Sequence, residues 1–216
     1  MRILLTSDLH FVRPWFDWAA EQAPFYDLAC VSGDLLDAFL PGGLLMQEIA
    51  VHRWASGFRS TLAISSGNHD ANDPEILSAA RGLPHLAPDD RHLAESLILR
   101  ERWMDALSRP GVVTDNRSEV LETASGRIVI TTIPYDYTGF ANRKDLWRSG
   151  ASLRQQTGAP WLVLHHEPPA DTDVGGLHGH PGLPSMVARY RPDYVLSGHI
   201  HHRPYVGSFA ARVGST

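Results

Sequence analysis

Five short blocks of polar residues carry the side chains that could do chemistry, and each block follows an apolar run. The blocks are Asp8-Leu9-His10, Gly33-Asp34, Gly67-Asn68-His69-Asp70, His165-His166 and Gly198-His199-Ile200-His201. Their donors are imidazole nitrogens, carboxylate oxygens and an amide oxygen, with no thiolate. This mixture suits Mn, Fe, Zn or Co better than Ca or Mg, which prefer all-oxygen ligands. The blocks therefore predict the binding of transition-metal ions.

The number of donors predicts two ions rather than one. The candidate metal ligands are Asp8, His10, Asp34, Asn68, His165, His199 and His201. They are too many for a single tetrahedral zinc with an open position. They suit two ions about 3.5–4 Å apart, an arrangement that clamps a phosphoryl group for attack. An ionised aspartate can bridge two cations through its two oxygens, whereas a neutral histidine or asparagine binds one.

His69 is predicted to act differently from its neighbours. It adjoins the candidate ligand Asn68 and precedes Asp70, whose carboxylate could orient the ring and support its protonated form. A histidine held in this way can protonate a leaving oxygen as a general acid. We therefore predict His69 and Asp70 as the catalytic residues.

The elements that must position these blocks are strands. The apolar runs before the blocks predict strands over residues 3–7, 28–33, 62–67, 161–164 and 194–198. Apolar residues at helical spacing predict helices after Pro14, over 44–58 and over 185–190. This alternation is typical of parallel strands with helices packed on the sheet faces. The carboxyl ends of such strands are where open α/β folds bind ligands.

The middle of the chain has a different pattern. Helical pieces are predicted over 74–81 and 94–107, and a short one over 152–156. Three β-like runs, 111–114, 119–123 and 127–133, lie between them, with a turn at 124–126. These runs predict hairpins that belong to a second sheet.

Length and composition indicate a single domain over residues 1–216, with one sizeable core. A formal net charge of −5 argues against strong affinity for nucleic acid. The lone cysteine, Cys30, lies in a strand-like run and is expected to be a small buried hydrophobe. No apolar run approaches the length of a membrane span, and no signal segment is evident, so we expect a cytoplasmic protein.

Taken in order, the five blocks resemble the calcineurin-like metallophosphoesterase superfamily, and its phosphodiesterase branches most closely. The resemblance spans residues 8–201. It implies an α/β fold, a four-layer β-sandwich of two mixed sheets flanked by helices. It also implies that one ion is held by Asp8, His10, Asp34 and His201, and the other by Asp34, Asn68, His165 and His199. Asp34 would bridge the two.

Some assignments next to the blocks stay open. His166 could exchange roles with His165, and the family pattern favours His165 as the ligand. Asp37 could support the site or simply lead a helix. The remaining candidates are Tyr135 and Tyr137 as lining of the cleft, and His178 and His180 as a wall or a solvated loop.

The resemblance implies a binuclear metal-dependent phosphoesterase, in which a metal-bound hydroxide attacks phosphorus in line and His69 protonates the leaving group. A phosphodiesterase acting on a small nucleotide, cyclic or not, or on a similar diester is the leading interpretation. The alternatives are a phosphomonoesterase or protein phosphatase, and a noncatalytic metal-binding scaffold. The basic residue that the protein phosphatase branch places soon after its Gly-Asp block is missing after Gly33-Asp34. The expected partner is a small phosphoester substrate, and a homodimer is left open.

Overall fold

The computed structural model describes residues 1–39, 44–70, 103–135 and 143–201. Its strands are β1 (Ile3–Thr6), β2 (Leu28–Ser32), β3 (Leu62–Ser65), β4 (Val112–Val113), β5 (Arg117–Thr123), β6 (Gly126–Ile133), β7 (Trp161–His165) and β8 (Tyr194–Leu196). Its helices are α1 (Arg13–Gln22), α2 (Leu44–Gly57), α3 (Lys144–Thr157) and α4 (Leu183–Tyr190). Among these described helices, none combines the length and the apolar composition needed to cross a membrane.

The described strands form two four-stranded sheets. The first has the order β1-β2-β3-β4, and its described strands are all parallel. The second has the order β5-β6-β7-β8, with an antiparallel β5–β6 hairpin and parallel pairing from β6 to β8. Helices α1 and α2 make the crossovers of the first sheet, because parallel neighbours cannot be joined by a tight turn.

Three apolar cores lie between four layers. Leu28 and Cys30 of the first sheet pack with Leu162 and Leu164 of the second, which makes the centre of the sandwich. The outer face of the first sheet packs against α1 and α2, and that of the second against α3 and α4. This arrangement confirms the predicted α/β sandwich flanked by helices.

Two predicted elements differ from the structure. Val112–Val113 pairs in parallel with β3 in the first sheet, so the run 111–114 is not part of the second sheet. The helix predicted over 152–156 extends over Lys144–Thr157 and ends at Gly158, which has a left-handed backbone with φ 65°. The region 74–81, Tyr137 and most of 94–107 lie outside the described residues.

Candidate metal centre

The carboxyl ends of β1, β2, β3 and β7 meet at one edge of the sandwich, and the segment after β8 joins them. Backbone hydrogen bonds fix this edge: the Asp8 amide donates to the Gly33 carbonyl at 3.1 Å and the His10 amide to the Asp34 carbonyl at 2.9 Å. The Gly198 amide donates to the His166 carbonyl at 2.8 Å. Residues from both sheets are thereby brought to one place.

The first group of donors is Asp8, His10 and His201. His201 Nε2 lies 3.0 Å from Asp8 Oδ1 and 3.5 Å from His10 Nε2. His10 Nε2 is in turn 3.8 Å from Asp34 Oδ2. This group opens to solvent, since the His201 side chain is 62% exposed.

The second group is Asp34, His166 and His199, with Asn68 beside them. Asn68 Oδ1 lies 3.1 Å from His166 Nε2 and 3.1 Å from His199 Nδ1, and these two nitrogens are 3.2 Å apart. His166 Nε2 is also 3.2 Å from Asp34 Oδ2. Asp34 and His166 of this group are buried, with the His166 side chain fully inaccessible, whereas Asn68 and His199 are half-buried.

These spacings fit metal coordination. Ligands bound about 2.1 Å from one ion stand about 3.0–3.4 Å apart in octahedral or tetrahedral geometry. In the second group the four distances above, 3.1–3.2 Å, fall in this range, and in the first group the two distances from His201 Nε2 are 3.0 and 3.5 Å. Asp34 Oδ2 lies between the groups, which is where a bridging carboxylate would have to be.

The structure brings His166, not His165, to this site. Along β7, Trp161 and Val163 face the helices, whereas Leu162 and Leu164 face the other sheet. Side chains alternate along a strand, so His165 falls on the helix side and His166 on the sandwich side. The choice of His165 over His166 is therefore corrected, and the alternation of Trp and Val with Leu was the sequence signal that could have found it.

His165 is part of a separate cluster. Its Nδ1–H donates to the Ile133 carbonyl at 3.2 Å, and its Nε2 lies 3.9 Å from Glu167 Oε2. Its ring is edge-on to His180, with centroids 5.6 Å apart. Burial lowers the pKa of His165 to about 3. The cluster attaches the loop after β7 to the second sheet, and His180 lies within it rather than along the cleft.

His166 is set up as a ligand by the bond at its other nitrogen. Its Nδ1–H donates to the Ser32 carbonyl at 2.7 Å, because a carbonyl can only accept. The lone pair of the neutral ring is therefore on Nε2, which points to Asp34 and Asn68. Burial opposes the charged ring, yet the hydrogen bond and charge of Asp34 outweigh burial and raise the pKa of His166. A metal ion would take the place of that proton.

Asp34 has the complementary electrostatics. Burial favours its neutral form, but the hydrogen bond and charge of His166, and the bond from the His69 amide, hold the pKa of Asp34 below its usual value. The carboxylate is 2% exposed and remains ionised. By contrast, burial lowers the pKa of His199.

His69 has the opposite tautomer to His166. The Ala38 amide donates to His69 Nδ1 at 3.2 Å, so the proton of the neutral ring is on Nε2. A neutral ring in this state offers a hydrogen-bond donor at Nε2 and no free lone pair for a metal, and it becomes an acid when Nδ1 also takes up a proton. The prediction that His69 is distinct from the ligands fits this geometry.

Asp70 does not have the predicted role. Its carboxylate accepts hydrogen bonds from the amides of Leu35, Leu36 and Gly67 at 2.9–3.2 Å, and none of these bonds reaches the His69 ring. Burial, opposed by these bonds, raises the pKa of Asp70 to about 7. Asp70 ties the loop after β2 to the loop after β3, and it therefore positions Asp34 rather than orienting the acid.

Strained backbone is concentrated at the same edge. Four candidate ligands have left-handed conformations: Asp8 (φ 54°), His10 (φ 43°), Asp34 (φ 52°) and His199 (φ 69°). Such conformations cost about 1–3 kcal/mol each and occur most often at functional sites. At Gly67 the limit is space, because an added Cβ would lie 2.2 Å from Asp34 Oδ1.

An open cleft of about 380 Å³ covers the two groups. Its described lining consists of His10, Asp34, Asp37, Phe39, Asn68, His69, His199 and His201. Tyr135 is close by, with its ring 6.2 Å from that of His166. Asp37 does lie at the site, where its Oδ1 accepts from the Phe39 amide at 2.9 Å. His178 is on the exposed loop after β7.

Comparison with known proteins gives the family and the fold of the chain. The sequence model of the calcineurin-like phosphoesterase family matches residues 1–203. The fold is similar to the crystal structure of TT1561 of Thermus thermophilus, with 14% identity, a TM-score of 0.59, and coverage of 91% of this chain and 80% of that one. A second crystal structure is similar with 9% identity, a TM-score of 0.52, and coverage of 92% and 84%. At sequence identities this low, the similarity to these two structures shows a shared fold and nothing about activity. A search of curated proteins found no match.

Proposed function

Because the chain belongs to the calcineurin-like phosphoesterase family, we propose that it is a metal-dependent hydrolase whose substrates are phosphodiesters. The observation that carries this proposal is the pair of donor groups on either side of Asp34 Oδ2, with His69 beside them. Two cation sites that share one carboxylate suit the transfer of a phosphoryl group.

The assignment of ligands follows the distances. Asp8, His10 and His201 would hold one ion and Asn68, His166 and His199 the other, with Asp34 shared. Mn, Fe, Zn and Co all accept this mixture of nitrogen and oxygen donors. When bound, such ions neutralise phosphoryl charge and activate the attacking water.

The proton for the departing oxygen comes from His69. Its Nε2 carries the proton because the Ala38 amide occupies Nδ1. The ring borders the cleft and lies against His10, with ring centroids 4.6 Å apart. A leaving oxygen within hydrogen-bond distance of Nε2 would accept a hydrogen bond from the neutral ring. It would receive the proton from the imidazolium form, in which Nδ1 has taken up a proton and given up the bond from Ala38.

The charge of the cleft favours a diester. A monoester carries close to two negative charges at neutral pH and benefits from a bidentate arginine. Among the described lining residues there is no Arg or Lys, and Asp37 adds a carboxylate outside the ligand groups. A monoanionic diester is repelled less by this lining, and Phe39 gives an apolar ester group a surface to contact.

The direct test compares bis-p-nitrophenyl phosphate with p-nitrophenyl phosphate on the Mn-loaded enzyme. We expect a higher kcat/KM for the diester. A monoester preference of tenfold or more, about 1.4 kcal/mol, would contradict the diesterase assignment while leaving a phosphoesterase in place. Absence of hydrolysis of either compound by metal-loaded protein would contradict catalysis itself.

The shared carboxylate can be tested separately with Asp34→Asn. We expect metal content and turnover to fall together, since the substitution removes the charge between two dications. Asp145→Asn is a matched control, because Asp145 is an exposed carboxylate on α3 that pairs with Arg148. Full metal content and activity in the Asp34 variant would rule out the binuclear site.

A further inference from the structure

Phe39 is an apolar ring at the rim of the cleft, in contact with the candidate acid. Its residue is 84% exposed. Its ring is edge-on to that of His69, with centroids 5.0 Å apart and an interplanar angle of 85°. Both residues line the cleft. The phenyl group thus has most of its surface available to a bound molecule.

One short loop holds both rings in place. The Phe39 amide donates to Asp37 Oδ1 at 2.9 Å, and the Ala38 amide donates to His69 Nδ1 at 3.2 Å. Gln47 of α2 anchors the loop, since its Oε1 accepts from the Asp37 amide at 2.8 Å and its Nε2 donates to the Asp37 carbonyl at 3.1 Å. Gln47 itself is 4% exposed. The position of Phe39 relative to the acid is therefore built into the loop.

We propose that Phe39 binds the leaving group of the substrate, and that this group carries an aromatic or heteroaromatic ring. The inference rests on the proposed function, since it places the leaving oxygen at His69. A general acid must come within hydrogen-bond distance of that oxygen. The rest of the leaving group then lies beside Phe39, where an aromatic ring gains both apolar burial and ring–ring contact.

A mixed diester, methyl 2-phenylethyl phosphate, tests this directly. Hydrolysis can release either methanol or 2-phenylethanol, two primary alkyl alcohols, so their ratio reports which ester group lies at the acid. We expect the wild-type enzyme to release mainly 2-phenylethanol. Phe39→Ala should reduce this preference by about 2- to 10-fold, the range of an aromatic contact. Phe39→Trp should retain it.

Phe25→Ala is the matched control, because Phe25 is 61% exposed and is not among the lining residues. An unchanged product ratio in Phe39→Ala, or preferential release of methanol by the wild type, would overturn the inference. So would release of neither alcohol by enzyme that cleaves bis-p-nitrophenyl phosphate. Those results would leave the diesterase proposal intact, which fails only if the enzyme cleaves no diester or prefers monoesters.

Discussion

In the neutral ring of His69, a single backbone amide keeps the hydrogen on Nε2, so the ring presents a hydrogen-bond donor to the cleft. The amide is that of Ala38, which lies in the same loop as Phe39. At His166 the same nitrogen, Nδ1, faces a carbonyl instead, and the lone pair moves to Nε2. The group that faces Nδ1, an amide at His69 and a carbonyl at His166, thus decides whether Nε2 offers a hydrogen or a lone pair.

His69→Ala should keep both ions and slow hydrolysis most for poor leaving groups. General acid catalysis is worth about 10²–10⁴-fold when the departing oxygen needs a proton, and the loss should shrink for p-nitrophenolate, which leaves without one. The measurement is kcat/KM across a series of leaving groups, together with metal content. An equal loss for every leaving group would remove His69 from the acid role.

Adjacent histidines at the end of β7 offer a matched pair of substitutions. His166→Ala should lose one ion and most activity, because His166 Nε2 lies at Asp34 and Asn68. His165→Ala should keep both ions and instead reduce the free energy of unfolding, by about 1–3 kcal/mol, since it opens a space in a buried cluster. Metal analysis and urea unfolding of both variants check this. Loss of an ion in the His165 variant alone would make His165 the ligand after all.

At the level of elements, the site depends on how closely the loops at the strand ends approach one another. Asp70 joins the loop after β2 to the loop after β3 through the backbone amides of Leu35 and Leu36, and it also accepts from the Gly67 amide of its own loop. Gly67, the residue before Asn68, allows this close approach, because a Cβ at its position would collide with Asp34. Bonds of this kind hold the ligands near their final positions before an ion arrives.

Gly67→Ala should therefore weaken metal binding and reduce stability. The new Cβ would lie 2.2 Å from Asp34 Oδ1 and 2.4 Å from the Asp34 amide nitrogen, so the backbone must shift. Overpacking of this kind costs about 1–3 kcal/mol. Gly57→Ala is the control, because nothing lies within 4 Å of its added Cβ. Calorimetric metal titration and urea unfolding measure both effects, and equal behaviour of the two variants would refute the explanation.

For the molecule as a whole, burial of His165 couples stability to pH. Its pKa falls from 6.5 to about 3 in the folded protein. Between these values the unfolded chain takes up a proton that the folded chain does not. The contribution to stability is thus complete above about pH 6.5 and is lost as the pH falls toward 3.

His165→Asn should flatten this part of the pH profile. One proton corresponds to a slope of at most about 1.4 kcal/mol per pH unit. The asparagine amide can still donate to the Ile133 carbonyl, which limits other losses. Urea unfolding between pH 3 and 7 in the presence of a chelator compares the slopes of the variant and the wild type. Parallel profiles would show that His165 does not titrate in this way.

The sequence alone predicted the types of donor and most of the framework. The type of a donor and its position after an apolar run are local properties of the sequence. They were enough to identify these candidate metal ligands before any fold was known: Asp8, His10, Asp34, Asn68, His199 and His201. The structure brings all of them to one edge of the sandwich. Binding of two ions, a single domain and a homodimer stay predictions.

Tertiary structure decided what local pattern could not. His165 and His166 are equivalent in type and adjacent. Alternation along β7 puts them on opposite faces, and the packing of β7 between a sheet and two helices decides which face belongs to the site. Asp70 follows His69 in the chain, yet its carboxylate accepts hydrogen bonds from the amides of Leu35 and Leu36, which lie 35 and 34 residues away. The pairing of Val112–Val113 with the first sheet is a further example. Which strand a segment pairs with depends on where the chain path places it, and the residues of the segment do not specify this.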